Sequence, residues 1–142
     1  IFHIKPAADG TAIADAETKV LVSADAGNRY MIDISANTAT FRLPSAYSNK
    51  GMEVHFMLDI NSDAEGTKDV IVFTDSTAEF IIGALTDGGT VHDSTVADDQ
   101  ILWDTSTGAD RLSLVCDGIH WYITEATALT AGIFVSGTAT RA

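Results

Sequence analysis

Apolar and polar residues alternate along most of this chain, in short runs separated by turn formers. From 29 to 35, Tyr30, Ile32 and Ile34 alternate with Arg29, Met31 and Asp33. From 38 to 43, Ala39, Phe41 and Leu43 share a face, and from 52 to 60 Met52, Val54, Phe56, Leu58 and Ile60 alternate with Glu53, His55, Met57 and Asp59. A period of two puts successive side chains on opposite faces of a β-strand, so each run predicts a strand with one buried face. Further short strands are predicted over 19–23, 68–74, 79–85 and 101–104. Those over 68–74 and 79–85 are more continuously apolar, through Val70, Ile71, Val72 and Phe73 and through Phe80, Ile81 and Ile82, which suits burial on both faces. Pro44 cannot donate to a ladder and ends the 38–43 strand, while Gly51 allows the backbone to return into 52–60. Residues 86–100 read as a long polar excursion around Gly88 and Gly89.

Asp117 and Gly118 join two alternating runs, 110–116 and 119–123. Asp-Gly suits a two-residue type I′ turn, because both central residues need positive φ. That turn sets Cys116 opposite Ile119, Leu114 opposite Trp121 and Leu112 opposite Ile123. All of these side chains then share one face, with Ser113, His120, Tyr122 and Thr124 on the other. Leu112, Leu114, Cys116, Asp117, Gly118, Ile119 and Trp121 thus form a predicted structural hairpin. Trp121 should bury a large aromatic area, with its indole N–H satisfied at the rim of the sheet.

No amphipathic helix longer than a turn or two is visible. About nine short strands at regular spacing predict an all-β fold, a single antiparallel β-sandwich or jelly-roll-like barrel. It occupies residues 19–126, with an extended N-terminal arm over 1–18 and a C-terminal strand or docking tail over 127–142. The 142 residues suffice for one domain with a real core. The single cysteine, Cys116, rules out an intramolecular disulfide and falls on the inward face of the hairpin as a small buried hydrophobe. The net charge of −12, from 20 acidic and 8 basic residues, repels a polyanion. No Lys/Arg cluster along the sequence offers a local exception, so nucleic acid is not an expected partner. No apolar run is long enough to span a bilayer, and no membrane partner is expected either.

Little in the sequence points to chemistry. His3, His55, His92 and His120 show no metal-ligand spacing, and there is no Cys/His cluster. Asp59, Asn61, Asp63 and Glu65 place oxygen-bearing side chains at alternate positions, as a calcium loop does. Ala64 stands where that loop needs glycine and Val70 where it needs a bidentate glutamate, so a plain acidic turn is the favoured reading and no metal is expected. There is no nucleophile elbow, phosphate-cradling glycine loop or activated Cys–His arrangement. Asp98 and Asp99 lie in a polar loop where solvent keeps both ionised. Neither catalytic residues nor a cofactor are expected.

Four segments carry a resemblance: Tyr30-Met31-Ile32-Asp33-Ile34, Ala39-Thr40-Phe41-Arg42-Leu43-Pro44, Gly51-Met52-Glu53-Val54-His55-Phe56, and Arg111 through Tyr122. In this order and spacing they resemble a module common in tailed-phage structural proteins, found in tail or head fibres and capsid decoration proteins. The family pattern runs as an alternating strand, a T-F-x-L-P strand end, a Gly-led strand and a closing L-x-S-D-G-x-x-W-Y hairpin. Cys116 sits where the family often has serine. The match covers residues from about 19 to 125, so the arm and the tail lie outside it.

The resemblance implies a non-enzymatic virion structural protein on the exterior of the capsid. The expected role is a decoration (cement) protein that self-associates as a homotrimer and binds the major capsid protein. The arm and tail would then reach the shell through Ile1, Phe2, Ile4, Ile133, Phe134 and Val135. The alternative is a tail- or head-fibre tip module that binds a host receptor or glycan, with Trp103 or Tyr47 as stacking platforms.

Overall fold

A computed structural model describes residues 4–6, 18–32, 39–58, 69–94, 97–103, 110–128, 134–137 and 139. These form strands β1 (Ile4–Pro6), β2 (Thr18–Val20), β3 (Arg29–Ile32), β4 (Ala39–Arg42), β5 (Glu53–Leu58) and β6 (Val70–Phe73). The second half adds β7 (Ile81–Asp87), β8 (Thr90–Ser94), β9 (Gln100–Trp103), β10 (Arg111–Cys116), β11 (Trp121–Ala128) and β12 (Phe134–Gly137). A seven-stranded sheet has the order β1-β3-β5-β10-β11-β7-β8, and a five-stranded sheet the order β12-β9-β6-β4-β2. The two sheets pack into an all-β sandwich.

From β1 to β7 the chain alternates between the sheets. As a result β1, β3 and β5 run parallel in one sheet, and β2, β4 and β6 run parallel in the other. Parallel neighbours need a crossover, which is usually a helix. Here each crossover is a strand of the opposite sheet, and the chain winds as a flattened coil. The pairing is therefore mixed rather than purely antiparallel. Antiparallel contacts enter where β10 lies between β5 and β11, and where β9 separates β6 from β12.

The predicted inward faces form the core. Tyr30, Ile32, Ala39, Phe41, Leu43, Val54, Phe56, Leu58, Leu112, Leu114, Cys116 and Trp121 are all buried. Burying a large apolar side chain stabilises a fold by roughly 1.5–3 kcal/mol, so these residues dominate its energetics.

The β10–β11 hairpin forms, but its register differs from the type I′ expectation. Cys116 pairs with Trp121, Leu114 with Ile123 and Leu112 with Ala126. The connection spans Asp117 to His120, and the Asp117 carboxylate accepts hydrogen bonds from the N–H groups of Ile119 and His120, both at 2.7 Å. Gly118 supplies the positive φ, at 97°. Ile119 consequently leaves the core and is half-exposed, and His120 sits in the loop rather than on a strand. Trp121 is fully buried, and its Nε1 has no hydrogen-bond partner among the described residues, so the expected rim contact is not made.

Further along, Ser113 faces Glu125 while Leu114 faces Ile123, which leaves Thr124 as an extra residue in β11. This β-bulge also interrupts the pairing of β11 with β7 between Tyr122 and Thr127. Gly83 accommodates the disturbance. Its φ is 143°, and a Cβ there would meet the Ile123 Cβ at 2.9 Å.

Two other expectations change. The polar stretch 86–100 contains the end of β7, a tight turn at Gly88 and Gly89 and the whole of β8, whose four leading residues are exposed and give no apolar alternation. The arm is not merely extended, because β1 joins the edge of the seven-stranded sheet; β2, which overlaps the strand predicted over 19–23, lies at the edge of the five-stranded sheet.

Gly83→Ala should destabilise the protein by about 1–3 kcal/mol, through the contact with Ile123 and the positive φ. Gly137→Ala, with open space around the added methyl, should stay within about 0.5 kcal/mol of the parent. Urea denaturation of both variants measures the difference.

Candidate functional site

Two surfaces gather polar and exposed side chains. The first is the end of the sandwich where the chain passes from the five-stranded to the seven-stranded sheet. The connections 21–28, 43–52 and 74–80 lie there, beside the 117–120 loop. Their backbones are stitched together: Gly27 N–H donates to Glu53 O at 2.7 Å, Gly51 N–H to Cys116 O at 2.7 Å and Trp121 N–H to Phe80 O at 2.9 Å. Glu79 is the centre of the arrangement. It is 1% exposed, and its Oε1 accepts from the Ala46 N–H at 3.1 Å and from Ser45 Oγ at 3.2 Å. The Cys116 Sγ donates to Ala46 O at 3.3 Å. Burial pushes the Cys116 thiol up, so it is a poor nucleophile, as the sequence suggested. His120 stacks on Phe80, with ring centroids 5.0 Å apart, and its Nδ1 accepts from the Phe80 N–H at 3.1 Å.

Connection 21–28 closes on a second buried polar group. Asp25 accepts from the Val22 N–H at 2.9 Å and from Asn28 Nδ2 at 3.1 Å, and Asn28 Nδ2 also reaches the Tyr30 hydroxyl at 3.4 Å. Burial pushes the Tyr30 phenol well up. Ser23 Oγ donates to Asn49 Oδ1 at 2.6 Å, which brings Val22 beside the Ala46–Ser48 turn that carries Tyr47. A Cβ on Gly118 would meet the Lys50 side chain at 3.3 Å, so the Ile119 loop sits next to it. Val22, Tyr47 and Ile119 are each more than half exposed on these adjoining, hydrogen-bonded loops. Apolar groups held outward on a fixed frame are suited to contact another surface.

The second surface is a depression of about 210 Å³ on the outer face of the seven-stranded sheet, bordered by Arg29, Met31, His55, Met57, Arg111, Ser113 and Glu125. Register explains the gathering. Arg29 faces His55 across β3 and β5, Ser113 faces His55 across β10 and β5, and the bulge at Thr124 puts Glu125 opposite Ser113. His55 Nδ1 and Ser113 Oγ are 2.9 Å apart, and Arg111 Nε meets the Glu125 carboxylate at 3.2 Å. Burial, and then the nearby Arg29 guanidinium, hold the His55 imidazole below the usual histidine range. The Ser113–His55 contact joins directly opposed residues on an open sheet face, which is what cross-strand polar pairs ordinarily do.

The sequence placed His55 on an outward face, and it lies there. It gave no sign that Arg29 and Arg111, 82 positions apart, border one depression, which they do because β3 and β10 both flank β5. Of the expected docking residues, Ile4 lies on β1 opposite Arg29, while Phe134 and Val135 lie on β12 opposite Trp103 and Leu102. Ile1, Phe2 and Ile133 are outside the described residues, as is the acidic loop of Asp59, Asn61, Asp63 and Glu65. Among the described residues no group of three or more His, Cys, Asp or Glu side chains is arranged to hold a metal ion, and no helix is long and apolar enough to cross a membrane.

Compared with known proteins, the chain matches no protein-family model and no curated protein.

Glu79→Ala should cost about 1–3 kcal/mol, because the buried Ala46 N–H loses its acceptor; thermal unfolding reads this out. The lowered His55 value carries a pH dependence with a definite sign. The folded state binds fewer protons there than the unfolded chain, so stability present above an unfolded value of about 6.5 is lost as pH falls through the lower folded value. The urea midpoint should therefore drop from about pH 7 to about pH 5, and His55→Gln should flatten that drop.

Proposed function

We propose that the chain is a non-enzymatic virion structural protein, a capsid decoration (cement) protein that binds the outer face of the major capsid shell and stabilises it. One observation carries the reading. Among the described residues the arm and the tail each supply a sheet edge, β1 for the seven-stranded sheet and β12 for the five-stranded one, and β2, where the arm meets the body, forms the other edge of the five-stranded sheet. These strands are only three or four residues long. Short edge pairings are held by few hydrogen bonds and open at low cost. The same backbone groups can pair with the sheet edge of a neighbouring molecule, which is how extended segments recruit partners. Ile4, Phe134 and Val135 ride on these strands and would travel with them.

Several weak contacts from one rigid body add by avidity, and a clamp across neighbouring shell subunits opposes outward pressure. The net charge of −12 suits the outside of a particle whose inside holds DNA. Copies would associate on the shell as a trimer. A second reading, a fibre-tip module for a host receptor or glycan, is favoured by one observation: Tyr47 is 64% exposed on its loop, a position suited to stacking on a sugar.

Purified protein added to particles stripped of it, followed by imaging, separates the two. Density at three-fold positions of the head is expected, with weaker occupancy by a variant lacking residues 1–6. Density confined to the tail would overturn the decoration reading in favour of the fibre-tip one.

A further inference from the structure

Three arginines have described side chains: Arg29, Arg42 and Arg111. Arg42 is tied to Asp75, by an ion pair at 3.0 Å and by a hydrogen bond to its carbonyl at 2.8 Å. Arg29 and Arg111 border the same depression, together with Glu125 and the thioethers of Met31 and Met57. On a molecule of net charge −12 two guanidiniums therefore stand against one carboxylate here, above an apolar floor.

At the far edge of the same sheet lies β8. Leu85, which is buried, faces His92, so Thr90, His92 and Ser94 point to the core side. His92 bonds the buried Asp87 at 2.9 Å, and Ser94 Oγ donates to Ile81 O. Val91 and Asp93 therefore lie on the outer face with Ala84 and Thr86, and both are exposed, Val91 at 62%. No strand of this chain pairs with the outer edge of β8 among the described residues. One apolar and one acidic side chain thus stand two positions apart on an open edge strand.

We infer that the depression receives β8 of a second copy, with the Asp93 carboxylate between the guanidiniums of Arg29 and Arg111 and Val91 against Met31 and Met57. Charge complementarity selects this occupant. Two molecules of charge −12 repel at most approaches, and a contact that brings guanidiniums to a carboxylate offsets that repulsion locally. Arg111 engages Glu125 through Nε, and a guanidinium carries four further N–H groups on its terminal nitrogens. Those groups match the planar fork of a carboxylate. The depression, at about 210 Å³, has room for a few side chains rather than a large ligand. Depression and β8 are different surfaces, so the contact is heterologous and runs head to tail. This inference rests on the self-association within the reading above and is independent of shell binding.

Sedimentation of the full chain, with circular dichroism as the check on folding, tests it. The parent should self-associate at high micromolar concentration, and less so at high salt. Arg29→Glu and Asp93→Arg should each weaken association by about thirtyfold or more, and Asp93→Asn, the milder change, by less. The combined variant Arg29→Glu with Asp93→Arg should recover most of the loss, because the exchanged charges meet again. A parent that stays a single copy overturns the inference. So do single variants that associate like the parent, or a combined variant no better than either single one. A parent that self-associates but does not coat stripped particles would sink the shell reading alone.

Discussion

The contact of Tyr30, Phe41 and Phe56 holds the two sheets together. Their ring centroids lie 4.9 to 5.7 Å apart, with Phe41 of the five-stranded sheet packed against both Tyr30 and Phe56 of the seven-stranded one. The three residues belong to β3, β4 and β5, which follow one another in the chain. Contact between sheets is thus also contact between successive passes of the coil. This arrangement requires every pass to present an apolar inner face, and the strict alternation over these strands meets that requirement. Each ring pair contributes about 0.5–1.5 kcal/mol beyond its area, and the tilted and stacked geometries are those that aromatic quadrupoles favour.

The loop end obeys a different rule. Its interior is polar, built around Glu79 and Asp25, and its exterior carries Val22, Tyr47 and Ile119. A buried carboxylate is costly where its oxygens lack partners. Glu79 Oε1 has two donors, the Ala46 N–H and Ser45 Oγ, while Oε2 has no hydrogen-bond partner among the described residues. The bonds that are made tie the connections 43–52 and 74–80 together. Fixed loops lose little entropy when they meet another surface, so the polar interior and the apolar rim act together. The acidic remainder of the surface keeps copies apart except where charges are opposed.

Much of this was legible in the sequence, for physical reasons that also mark where it stopped. Alternation identifies strands and inner faces, and the core follows from it. Alternation is the same in parallel and antiparallel strands, so the coil is invisible in it; Tyr30 and Phe56 look alike whichever way β3 and β5 run. Asp117-Gly118 marks a hairpin but not its length, because an aspartate that caps two N–H groups supports a four-residue loop as readily as glycine supports a two-residue one. β8 was hidden because Thr90-Val91-His92-Asp93 has no apolar face, lying as it does at an edge. The Arg29–Arg111 depression depends on the order of strands in the sheet, which no local pattern encodes.

The extra residue at Thr124 divides β11 into two halves that keep separate phase. With continuous pairing, Glu125 would stand opposite Leu112 and enter the core, while Ala126 and Ala128 would turn to solvent. The insertion exchanges these assignments, placing a carboxylate outside beside Arg111 and two small side chains inside. The strand therefore behaves like a word whose meaning changes with one letter. Loss or gain of a single codon there would reverse the polarity of everything downstream in the strand, whereas the same change in an exposed loop would only shorten or lengthen a connection.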